Sequence, residues 1–255
     1  MNTFYIIITF VVGLVLGSFY NVVGLRICKG ESIIFPSSHC PKCNHKLKPY
    51  ELVPVLSYIF LKGKCKKCKD KISIMYPITE LITGILFALS FYVFGFSCET
   101  ILLMIISSLF VIIIVTDINY YIIPDSVLIV FGVLILVYNL LTKGLKGSLI
   151  YLGYGLLMFM FMFILMKLGN AIFKEESLGG GDIKLMAVLG MTLKPIMSFF
   201  ALSTGALLAL PISLYIYKTK KDKIIPFGPF ILCGFLIIMF LQVDTEMIFS
   251  LLKLF

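Results

Sequence analysis

Repeated apolar runs, each about as long as a bilayer is thick, constrain this chain more than any other feature. Phe4 to Leu25, Pro77 to Phe96, Ile101 to Thr116, Asp125 to about Leu141, Ser148 to Leu168, Ile196 to Tyr217 and Phe227 to Leu241 read as helices of spanning character, because about 20 apolar residues cross a hydrocarbon core of about 30 Å. With 60% hydrophobic residues and a mean hydropathy of +1.07, the composition lies far from that of soluble domains. Ile183 to Leu193 is an 11-residue apolar stretch, about 16 Å as a helix. Parity counts it as a crossing, since otherwise Lys218, Lys220, Lys221 and Lys223 would break the positive-inside rule. The expected fold is therefore an all-α polytopic membrane protein of about eight transmembrane helices. The first run has no basic residue before Arg26 and reads as a retained span, not a removable signal.

Charge locates the loops. The net charge is +9, and 11 of the 22 basic residues lie between Arg26 and Lys71. They flank apolar spans, so contact with anionic lipid explains them and a nucleic-acid partner is set aside. Distributed by parity, 18 basic residues fall on one side and Lys143, Lys146, Lys194 and Lys253 on the other, which puts the amino terminus outside and the basic segment in the cytoplasm. Three parts follow: a first helix over 1–25, a polar insert over 26–76, and a membrane domain over 77–255. Within the insert, Leu52 to Leu61 is too short to cross and suits a packed or interfacial segment. In the first span Gly13, Gly17 and Ser18 make a small-residue face for close helix packing.

The insert carries four of the seven cysteines as Cys40-Pro41-Lys42-Cys43 and Cys65-Lys66-Lys67-Cys68. Each pair offers two sulfurs from one tight turn, and four thiolates complete a tetrahedral shell for Zn2+. The metal would supply folding energy that a 50-residue insert with little core lacks. A closed shell has no position for water, so this zinc is expected to be structural. His39 and His45 are left outside the ligand set.

Two carboxylates stand out. Asp117 ends a long apolar run, and Asp182 follows three glycines in Leu178-Gly179-Gly180-Gly181-Asp182-Ile183-Lys184, where the missing side chains allow a tight bend. Two spans separate them, so both emerge on one face. Held close, they would share one proton, the state in which one carboxylate activates water while the other polarises a carbonyl. Asp125, after Pro124, reads as a helix start. Capping and proton relay remain open for all three acids at this level.

Gly179-x-Gly181-Asp182 with Asp117-x6-Pro124-Asp125 resembles the GxGD aspartyl membrane peptidases. Gly17-Ser18-Phe19-Tyr20-Asn21-Val22-Val23, Ser38-His39-Cys40-Pro41-x-Cys43, Leu56-Ser57-Tyr58, Gly63-Lys64-Cys65 and Tyr76-Pro77-x-x-Glu80 are similar to bacterial type IV prepilin peptidases, and the resemblance covers most of the chain. It implies a bifunctional enzyme of the cytoplasmic membrane that cuts the leader of type IV prepilins or pseudopilins and methylates the new amino terminus, usually phenylalanine, from S-adenosylmethionine. It also implies Asp117 and Asp182 as catalytic pair, the four cysteines as zinc ligands, and a part in methyl transfer for Gly63 and Lys64. Competing readings are a presenilin-type intramembrane protease, an archaeal-type preflagellin peptidase, a proton- or ion-coupled transporter using the two aspartates, and a non-catalytic scaffold.

Overall fold

The computed structural model describes residues 2–174, 178–219, 225–244 and 246–247. Lys220, Lys221, Lys223 and most of the apolar tail after Asp244 lie outside the described residues. Among the described residues the regular structure is helical, apart from two isolated β-bridges. The chain divides into two compact units, Met1–Asn119 and Tyr120–Phe255.

In the first unit α1 (Asn2–Ile27) packs on α3 (Met75–Phe94), with the polar insert between them in sequence. The insert holds a 3-10 turn, Pro49–Glu51, and the five-residue α2 (Leu56–Phe60). The helices meet where side chains are missing: a Cβ on Gly13 would sit 2.7 Å from the Thr83 carbonyl oxygen, and one on Gly17 would sit 2.8 Å from Glu80 Cα. Such close approach is how helices associate without a hydrophobic drive between them. Polar groups then join across the seam. Thr79 Oγ1 donates to Asn21 Oδ1 at 2.9 Å, and Asn21 Nδ2 donates to the carbonyls of Gly17 and Tyr76. The third long helix, α4 (Cys98–Tyr120), is joined to α1 by Tyr20 Oη donating to Ser108 Oγ at 2.8 Å, and it buries Leu103, Ile106, Leu109, Val111 and Ile113 completely.

The second unit starts with α5 (Asp125–Phe173), 49 residues and so about 73 Å of helix, more than two bilayer cores. Gly144, with φ 69° and ψ −179°, breaks it in a conformation that only glycine adopts readily. The fourth and fifth expected spans are its two halves. After it come α6 (Gly180–Gly190), α7 (Pro195–Thr219) and α8 (Gly228–Phe240). Leu185, Met186 and Leu189 of α6 are wholly buried, and Gly155 of α5 lies so close that a Cβ would meet the Ala187 carbonyl at 2.5 Å. Gly205 and Gly234 similarly let α7 and α8 touch through backbone.

Among the described residues five helices are long and apolar enough to cross a membrane: α1, α3, α4, α5 and α7. At 11 and 13 residues α6 and α8 are shorter than a straight crossing needs. One boundary differs from expectation. Residues 169–181 read as a polar loop, but α5 continues to Phe173 and ends at Lys174 in the left-handed region, whose N–H donates to the Asn170 carbonyl. One glycine costs a helix only about 0.5–1 kcal/mol, so Gly169 did not end it.

The packing predicts that Gly13→Val lowers the melting temperature of detergent-purified protein, equivalent to about 1–3 kcal/mol of overpacking. Gly153→Ala should not, because a Cβ there meets nothing within 4 Å. Equal melting temperatures would contradict the close α1/α3 seam.

Candidate functional site

The four cysteines converge. Their sulfurs all lie within 4.8 Å of one another, with Cys40 to Cys68 at 3.8 Å and Cys43 to Cys65 at 3.9 Å. Two copies of one turn produce this. In the first, the N–H of Cys40 donates to the His45 carbonyl and that of Asn44 to the Cys40 carbonyl; in the second, Cys65 pairs with Asp70 and Lys69 with Cys65 in the same way. Asn44 and Lys69 both take positive φ, and the bridges His39 to Lys46 and Lys64 to Lys71 close the two turns. The insert is thus locally repeated at the level of these two turns. An ion pair from Lys42 to Asp70, 2.9 Å, ties one turn to the other.

The electrostatics suit a cation. Backbone N–H groups of Cys68 and Lys67 pull the Cys65 thiol down to about 6. Cys68 is pushed up to about 12: the Asp70 N–H pulls it down, but burial and the neighbouring sulfurs outweigh that. A divalent ion would displace the protons that these crowded thiols hold. Four soft donors at this spacing fit a tetrahedral thiolate site.

Beside the cluster, between the insert and the ends of α1 and α3, lies a cavity of about 480 Å³. Glu51, which the sequence reading passed over, is buried in its wall. Its Oε2 accepts from the Lys48 N–H at 2.8 Å and meets His45 Nε2 at 3.2 Å, and the Lys48 bond, with His45 adding, holds this carboxyl below the usual range. Gly63 has φ 65°, and a Cβ there would reach the hydroxyl of Tyr58, another wall residue, at 2.9 Å; Lys64 is exposed.

The acidic residues are distributed over both units. Asp117, 6% exposed, lies in the last turns of α4 in the first unit. Asp182 sits in the first turn of α6 in the second, where the positive end of the helix dipole favours a carboxylate. None of the three glycines before it has positive φ, so the expected tight bend is absent. Gly179 is extended and Gly180 begins the helix. Their role is close approach: a Cβ on Gly181 would sit 2.9 Å from Ile123 Cβ, and one on Gly179 would sit 3.1 Å from the Asp182 carboxylate. Asp125 opens α5 after Pro124 and accepts both of its bonds from Lys184 Nζ, at 2.7 and 2.8 Å. Lys184 was visible as the end of the glycine motif, but nothing in the sequence gave it a partner.

Comparison with known proteins divides the chain earlier, between residues 94 and 103. The family model described as bacterial peptidase A24 N-terminal domain matches residues 11–94, and that of the type IV leader peptidase family matches residues 103–214. A prepilin leader peptidase/N-methyltransferase of Bacillus subtilis is 39% identical over 237 residues, covering 89% of this chain and 90% of that protein. The protein of the same description from Pseudomonas aeruginosa is 28% identical over 256 residues, 89% and 87%. A type 4 prepilin-like proteins leader peptide-processing enzyme of Escherichia coli is 32% identical over 254 residues, 90% and 91%. No solved structure matches.

Two predictions follow from this geometry. Purified protein should hold a divalent metal at pH 7 and release it on acidification, because protons compete with the ion for all four thiolates. Atomic emission on dialysed samples, with Cys65→Ser as the metal-poor control, reads this out; retention unchanged at pH 4 would contradict it. In the glycine run, Gly180→Ala should be neutral or stabilising by up to about 1 kcal/mol, while Gly181→Ala should destabilise through Ile123. Thermal melts of both variants decide.

Proposed function

Because this chain belongs to the type IV leader peptidase family, we propose that it removes the leader from type IV prepilins or pseudopilins with Asp117 and Asp182, then methylates the freed amino terminus from S-adenosylmethionine. One observation supports the pairing of the aspartates above others. Ile123, six residues after Asp117, packs on Gly181, the residue before Asp182. The Asp125 to Lys184 ion pair links the same two chain segments, with Pro124 fixing the start of α5 and Gly179 leaving room for the Asp182 carboxylate.

Cleavage needs one proton shared by the pair. The ionised aspartate takes a proton from water, whose oxygen adds to the scissile carbonyl while the protonated partner supports the oxyanion. The tetrahedral intermediate then breaks its C–N bond, and the leaving amine collects a proton. A buried Asp117 and a helix-start Asp182 are rigidly held, and fixing groups in place removes much of the entropic barrier. S-adenosylmethionine, when bound by the insert, would supply an electrophilic methyl group to the freed amine.

Zn2+ on Cys40, Cys43, Cys65 and Cys68 would be structural, since four thiolates leave no open position. In this reading the insert, 26–76, serves methyl transfer, 77–255 is the peptidase domain, and the 1–25 helix anchors the insert. The excess of basic residues around the insert supports a cytoplasmic location for it and for the aspartates, with the amino terminus outside.

Asp117→Ala and Asp182→Ala should each reduce leader removal by about a thousandfold or more while retaining metal content and melting temperature. Mass spectrometry of a prepilin incubated with purified enzyme measures this. Near-normal processing by either folded variant would sink the pair.

A further inference from the structure

The cavity beside the cysteine cluster has the construction of a small-molecule site. Its volume of about 480 Å³ falls within the usual range of about 300–1,000 Å³ for ligand pockets. Val22, Leu25, Leu61 and Tyr58 give it an apolar wall, and Arg26 and Lys29 bring positive charge to it. Into this setting Glu51 brings an orphan. The residue is 6% exposed, its Oε2 is engaged, and its Oε1 is buried with no hydrogen-bond partner among the described residues. A buried acceptor without a donor is costly and points to a missing partner. The backbone nearby is strained as well. Val55 has φ 60° and ψ −50°, with the Leu56 N–H on the Pro54 carbonyl at 2.6 Å, and Glu80 Oε2 of α3 holds the Val55 N–H at 2.7 Å. A β-branched residue at positive φ costs on the order of 1–3 kcal/mol and is found where a loop is held in one shape for a ligand.

Resting on the methyl-transfer reading above, we propose that this cavity is the S-adenosylmethionine site, with Glu51 Oε1 accepting from the donor's ribose hydroxyl or ammonium group. The match is chemical. The methyl donor combines an aromatic base suited to the apolar wall, hydrogen-bond donors for an acceptor that lacks one, and a carboxylate for Arg26 and Lys29. Gly63 then has a definite task, because a side chain there would collide with Tyr58, a residue of the cavity wall. Glu80 is a positioning residue that keeps the strained turn and the wall in place.

The test uses full-length, metal-loaded protein in detergent and radiolabelled S-adenosylmethionine in equilibrium dialysis, with hydrogen exchange of the wild type with and without it. Glu51→Gln should weaken binding about tenfold or more, and Leu61→Trp, which fills the cavity from another wall, should weaken it at least as much. The methyl donor should protect amides over residues 47–63 and 72–80 and leave 180–190 unchanged. Metal content reports folding; should Glu51→Gln lose its metal, Leu61→Trp and the exchange map decide. Wild-type binding with unaltered affinity in both variants and protection elsewhere overturns the cavity and leaves methyl transfer standing. Absence of wild-type binding together with absence of methylated product overturns both.

Discussion

Inside a bilayer a backbone can bond only to itself, and that limit decides where chemistry can be placed on this chain. Helix interiors have no spare N–H or carbonyl, and a charged side chain facing lipid is expensive. Polar function is left with helix ends and with segments that leave the membrane. Asp117 stands in the last turns of α4, Asp182 in the first turn of α6 and Asp125 at the first residue of α5. The thiol cluster and Glu51 are in the insert. The sites follow from this restriction as much as from the needs of any reaction.

The same limit gives glycine two separate meanings. At Gly13, Gly17, Gly155, Gly205 and Gly234 it removes bulk so that backbones of neighbouring helices touch, the main source of association when lipid is as apolar as leucine. At Gly63 and Gly144 it permits positive φ. The glycine run before Asp182 belongs to the first kind although it looks like the second. Its backbone is ordinary, and what it provides is room for Ile123 and for the aspartate's own carboxylate. A bend would have left the start of α6 loosely placed, whereas contact fixes it.

Much of this was legible from spacing. The apolar runs gave the helices, the paired C-x-x-C segments gave a cluster whose sulfurs do meet, and Gly13 with Gly17 gave the α1 seam. Periodicity failed where its signal is local. Gly169 lies in a run of helix-compatible neighbours, and α5 runs through it; the break expected between Leu141 and Ser148 falls at Gly144. Tyr58 and Glu80 entered only as members of family motifs, and Glu51 carried no pattern of its own. Their significance depends on contacts with residues 3 to 25 positions away in chain order and on one unsatisfied oxygen, neither of which a one-dimensional reading contains. The Asp125 to Lys184 pair, 59 residues apart, was hidden for the same reason.

The cysteine cluster has a consequence for the cavity beyond holding the insert together. This segment turns large apolar residues outward, Ile34, Phe35 and Phe60 being 71%, 76% and 80% exposed, so it lacks a core able to stabilise about 50 residues. Metal ligation by the four cysteines would replace that core. Cys40 and Cys65 are themselves part of the cavity wall, beside Glu51. An ion that touches no reactant would therefore still control the second reaction, by keeping the pocket's wall in place. In the proposed mechanism, cleavage by the aspartates would draw its rigidity from helix ends and have no such dependence. A closed thiolate shell can in this way govern a reaction without ever offering a coordination site to it.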